Sequence, residues 1–157
     1  MTTLAVYVAA LLIGVIAGLR VFTAVAAVSW AARFGALRLA STPLAFLGAS
    51  LTPWILTALV VMETVTDQRP STASRKTPAQ FAARLASGAL CGAAVAMTRG
   101  SWILGLVLGV GGAILGTLEG AAVRARLARA FRRDRPAAFL EDAVAIAGAV
   151  LIVAVLV

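Results

Sequence analysis

Apolar residues run in five long stretches separated by short polar breaks. The first covers residues 4–32 and is interrupted only by Arg20; the others cover 43–66, 78–97, 102–123 and 136–157. Each is long enough for a helix to cross a hydrocarbon core of about 30 Å, which takes roughly 20 residues. Helix-start signals fall at the same places. Thr42-Pro43 and Thr77-Pro78 set a capping hydroxyl before a proline at the first helical position, and Gln80 extends the second pair into a capping box. Ser101 is placed to cap the fourth stretch, and Arg135-Pro136 opens the fifth. Pro53 falls inside the second, where it removes a backbone hydrogen bond and predicts a kink. The pattern predicts an all-α, polytopic transmembrane helical bundle of about five spans in a single domain.

Composition narrows the class. Of 157 residues, 62% are apolar and 13% charged, with a mean hydropathy of +1.01. A soluble domain is about half apolar and roughly a quarter charged, so a soluble core, a disordered chain and a disulfide-rich module are all excluded. No Lys or Arg precedes Arg20, and the apolar run continues past it, so the first segment reads as a retained span and not a cleaved leader. The single cysteine, Cys91, has no partner for an internal disulfide. With no histidine in the chain it makes no zinc site either, and it reads as a small buried packing residue.

Charge gives a direction. Fourteen Lys and Arg against six Asp and Glu leave a net charge of +8. In a five-span chain the loops after the second and fourth spans share a side with the N-terminus. They carry Arg69, Arg75, Lys76, Arg124, Arg126, Arg129, Arg132, Arg133 and Arg135, against Arg33, Arg38 and Arg99 opposite. Basic residues collect on the cytoplasmic side, so this count predicts a cytoplasmic N-terminus. Residues 124–135 read as a basic, cytoplasmic helical extension of the fourth span, with Val123, Leu127 and Phe131 recurring every four residues between arginines. The partners implied are the lipid bilayer and its anionic headgroups, with no nucleic acid.

The spans are rich in small residues. Gly105, Gly109, Gly112 and Gly116 form one stripe of the fourth span, and the pairs Gly14/Gly18 and Gly88/Gly92 repeat the spacing in the first and third. Close helix packing is the plain reading, within the chain or in a homo-oligomer. None of these glycines has the context of a phosphate loop.

Seven charged residues lie in or at the edge of the spans: Arg20, Glu63, Asp67, Arg84, Glu119, Glu141 and Asp142. A charge at the centre of a bilayer costs at least about 2.5–3.5 kcal/mol on insertion scales, so these side chains are expected to converge inside the bundle. The set has an excess of three negative charges. Arg69, Arg75 and Lys76 from the adjoining loop, bound protons or a cation are candidates to offset it. No cofactor is called for, although Glu63, Asp67, Glu141 and Asp142 offer oxygen ligands to a divalent cation. Each residue also has a structural reading: Glu141 and Asp142 sit near a helix start that favours negative charge, and Arg20 can snorkel.

Gly18-Leu19-Arg20, Glu63-x-x-x-Asp67-x-x-Pro70 and Glu141-Asp142 together resemble the domain-of-unknown-function 4126 family, as do Val65–Pro70 and Ser87–Ala93. The resemblance implies a small, multi-pass protein of the bacterial inner (cytoplasmic) membrane and no defined activity. Three functions follow from the residues. A small transporter or channel would use Glu63 and Glu119 as titrating groups, with Arg20 and Arg84 as counter-charges. A Mg-dependent enzyme acting on a phosphorylated lipid at the cytoplasmic face would hold its metal on the carboxylates and clamp phosphate with Arg75, Lys76 and Arg84. A structural membrane subunit would keep static ion pairs. Transport is favoured over catalysis, because no catalytic signature is present.

Overall fold

A computed structural model describes residues 2–67, 77–97 and 99–156. Among these the chain is all-helical: α1 (Thr3–Leu19), α2 (Val21–Arg33), α3 (Thr52–Asp67), α4 (Pro78–Ala96), α5 (Trp102–Phe131) and α6 (Asp134–Leu156), with a one-turn 3-10 helix at Ala45–Gly48. Three helices are long and apolar enough to cross a membrane, namely α4, α5 and residues 136–155 of α6; α1 and α2 are apolar but shorter. At 1.5 Å per residue the 30 residues of α5 extend about 45 Å, well beyond a hydrocarbon core. Arg69, Arg75 and Lys76 lie outside the described residues.

Two of the expected spans are drawn differently. The stretch 4–32 is not one helix. Arg20 takes an extended conformation (φ −143°, ψ 116°) that ends α1 and starts α2. Val25, Val28 and Ala31 then share one buried cluster with Val6, Ala10 and Ile13 of α1 and Cys91, Ala94 and Val95 of α4, so α2 folds back beside them. The second stretch does not begin at Pro43. Residues 40–51 are turns and the 3-10 helix, and α3 starts at Thr52. Pro53 therefore stands in the first turn of α3, where its missing N–H costs no hydrogen bond, and it kinks nothing. Thr77 does occupy the N-cap of α4, but its side chain makes no capping bond there; the helix starts on Pro78 alone. Ser101 does cap α5, its hydroxyl accepting from the Leu104 amide.

Dividing the first stretch changes the end at which the N-terminus lies. The Ser101 amide, at the start of α5, donates to the Tyr7 hydroxyl near the start of α1 (3.0 Å), and Gly18 packs against Gly116, so α1 and α5 run parallel. Thr2 and Leu4 line a groove with Leu151 and Val155, which sets the start of α1 beside the end of α6. Both termini thus share one end of the bundle. Arg20, Asp67 and the α5–α6 turn lie at the other. The expected placement of the N-terminus on the side of the basic loops came from counting one helix where there are two.

Glycine lets the central helices touch. A Cβ on Gly109 would collide with the Gly88 carbonyl, one on Gly14 with Gly109, and one on Gly92 would come within 2.9 Å of the Gly109 Cα. The stripe on α5 is therefore in backbone contact with α1 on one flank and α4 on the other, the close approach that drives association where apolar burial gives no advantage over lipid.

Candidate functional site: the charged elbow at Arg20

Breaking a helix inside a membrane bundle exposes backbone groups that apolar surroundings cannot satisfy. Side chains from three other helices satisfy them here. At the end of α1 the Arg84 guanidinium donates through Nη1 to the carbonyls of Gly18 and Leu19, each at 2.7 Å, and the Thr117 hydroxyl reaches Gly18 at 3.2 Å. At the start of α2 the Glu63 carboxylate accepts from the amides of Val21 (2.8 Å) and Phe22 (3.1 Å). Ser87 donates to the Val21 carbonyl at 2.8 Å. Each group has the sign its helix end prefers: a cation at the carboxyl end of α1, an anion at the amino end of α2.

Arg20 itself fills the centre of the elbow and is 1% exposed. Its Nη1 pairs with Asp67 Oδ2 at 2.7 Å and lies 3.5 Å from the Glu63 carbonyl, while its Nη2 pairs with Asp142 Oδ1. One guanidinium thus joins α3 and α6, a task suited to its fixed fork of donors. Two buried polar atoms of this lock have no partner among the described residues, Arg20 Nε and Asp142 Oδ2.

A second ion network stands next to the first. Arg124 pairs with Asp134 at 2.6 Å and approaches Glu141 Oε2 at 3.5 Å, and its Nη2 is 3.5 Å from the Asp67 carbonyl. The hydrogen bonds that Arg124 donates to the Asp134 carboxylate hold the guanidinium further towards its charged form. Arg124 had counted in the sequence only as one basic residue of an extension. Its position four residues beyond Gly120, on the flank of α5 that faces α6, was the available signal.

Of the seven charges expected to converge, the elbow and its neighbour gather six. Glu119 is not among them. It is exposed, at the edge of a groove between α5 and α6. With Glu119 outside, and Arg124 and its partner Asp134 inside, the excess falls from three to two: five carboxylates face three guanidiniums and the amino end of α2. The carboxylates named for a divalent cation accept from nitrogen donors in this structure, Glu63 from amides, Asp67 and Asp142 from Arg20, while Glu141 lies 3.5 Å from Arg124. No group of three metal-ligating side chains is found among the described residues.

Residues 7–157 match the model of a domain of unknown function, DUF4126. The chain belongs to that family. The match spans both helices of the elbow and all the residues that hold it. No curated protein and no solved structure matches the chain.

Proposed function

We propose that this DUF4126 protein is a small transporter whose solute path passes the Arg20 lock, with the elbow held closed by the protein's own charges. The observation that carries this reading is a buried donor and a buried acceptor of the lock, Arg20 Nε and Asp142 Oδ2, that have no partner among the described residues. Buried polar atoms are nearly always hydrogen-bonded, and a spare donor and a spare acceptor on the two partners of one buried ion pair suit a small polar solute or an ion with its water. Opening the path means exchanging the Arg20 pairs for contacts to the solute. By the distribution of basic residues the elbow faces the cytoplasm, so both termini face the opposite side.

The matched signs at the two helix ends favour a second reading, in which the network only holds the fold. Reconstitution separates the two. Vesicles containing the wild-type protein should pass protons or small ions from a test panel above the protein-free background. Asp142→Asn, which removes one charge without changing shape, should lower that flux several-fold in protein that still folds. Flux at background for every solute, together with a lower melting temperature in the variant, would leave the structural reading standing.

A further inference from the structure

The pole away from the elbow carries side-chain charge of one sign. All six Asp and Glu residues of the chain, Glu63, Asp67, Glu119, Asp134, Glu141 and Asp142, belong to the elbow half, whereas Arg33, Arg38 and Arg99 lie at the opposite pole. Gly35, in the left-handed region (φ 81°), turns the chain just past the C-cap of α2. The backbone then alternates: Leu37 and Leu39 are buried in the core cluster, and Arg38 and Ala40 are exposed. Between this stretch and the 3-10 turn at Ala45–Gly48 lies a pocket of about 550 Å³, walled by Ala32, Gly35, Ala40, Ala45 and Gly48, with Arg38 as the one charged side chain in its lining. Neither the Arg38 side chain nor the amides of Arg38 and Ala40 make a hydrogen bond or ion pair found among the described residues.

Aromatic side chains set the depth of this pocket. Phe34 and Phe46 flank lining residues in the chain and are exposed, as are Trp54 near the start of α3 and Trp102 at the start of α5. Trp30 stacks on Phe34 and meets Trp54 edge-on, which fixes the group together. Aromatic rings gathered at one end of a membrane bundle mark the boundary of hydrocarbon and water, the level of lipid phosphates. We infer that this pocket seats the phosphate of one anionic phospholipid, held by the Arg38 guanidinium and the amides of Arg38 and Ala40, with the acyl chains left in the bilayer. All three groups are donors only, which suits phosphate oxygens. With no side-chain carboxylate at this pole, the ammonium of a zwitterionic headgroup finds no counterpart, so a net anion is preferred. The site stands apart from the Arg20 lock and from the transport reading built on it.

Protection of an introduced thiol tests this. Cys91 is buried, so Ala40→Cys gives the full chain one reactive thiol at the pocket. Its labelling by a water-soluble maleimide in neutral detergent should slow several-fold on addition of phosphatidylglycerol. Diacylglycerol with the same chains, phosphatidylcholine and inorganic phosphate should each protect less. Arg38→Gln should raise the phosphatidylglycerol concentration needed roughly tenfold, the size of one charge-assisted hydrogen bond, with the melting temperature unchanged. Arg38→Gln should leave any protection at Ala130→Cys, on the basic end of α5, as it was. Equal protection by diacylglycerol, by phosphatidylcholine or by inorganic phosphate overturns the inference, as does protection that survives Arg38→Gln or falls equally at Ala130→Cys.

Discussion

Arg20 is the residue on which the elbow turns, and its replacement has a readable cost. Arg20→Ala leaves Asp67 and Asp142 facing each other across a buried space with no cation between them. Removing one partner of a buried ion pair costs about 3–5 kcal/mol, so thermal unfolding in detergent should show a loss of that order. Arg20→Lys keeps the charge but cannot reach both acids with a planar fork, and it should fall between wild type and the alanine variant. The sequence marks Arg20 as costly but not as a break point. No proline or glycine stands at position 20, and the extended backbone there is fixed by Glu63 and Arg84, which come from 43 and 64 positions downstream. Such long-range capping has no local signature. Glu119 was misjudged for a related reason. Continuing the glycine stripe by helical spacing put it on the packed face, whereas the stripe is buried only as far as α1 and α4 cover it, up to Thr117.

At the scale of the element, the helices differ in how far the chain announces them. α4, α5 and α6 are long, apolar and bounded by Pro78, Ser101 and Asp134, and hydropathy finds all three. α3 begins nine residues later than its apolar stretch, because residues 43–51 are as apolar as a span yet form turns and one 3-10 turn, pinned by bonds such as Ser29 to the Leu47 carbonyl (2.5 Å) and Thr52 to the Phe46 carbonyl (2.8 Å). Glycines on α5 allow a direct comparison of two positions on one helix. Gly109 is in backbone contact with α4, and Gly109→Ala should cost about 1–3 kcal/mol through overpacking. Gly111 has nothing within 4 Å of a Cβ, so Gly111→Ala should be neutral or stabilise by up to about 1 kcal/mol through helix propensity. Melting temperatures of the two variants in the same detergent check the pair; equal effects would mean that α5 packs elsewhere.

For the molecule as a whole, the prediction concerns sidedness. Among the described residues six helices alternate in direction, which brings the start of α1 and the end of α6 to the side away from the elbow. Cys91 is fully buried, so the native chain should not react with a membrane-impermeant thiol reagent and serves as its own silent background. A cysteine at Thr2 should be labelled from outside intact cells, and one at Ala130, on the exposed flank of α5, only after permeabilisation. Labelling of both from the same side would mean that α1 crosses the bilayer without turning back. Apolar composition and the count of basic residues were enough to establish a membrane bundle and to say which loops gather charge. They could not say that the first apolar stretch is a hairpin, since 29 residues fit one tilted span as easily as two short ones.

The elbow also orders how the protein can be made. Arg20 leaves the ribosome 122 residues ahead of Asp142, the acid in α6 that completes its pairing. Until α6 arrives, the nascent chain carries a guanidinium with only part of its neutralising set, and the first hairpin has reason to stay near the membrane surface or within the insertion machinery. A chain cut short before α6 would lack Asp142 and display that unsatisfied charge.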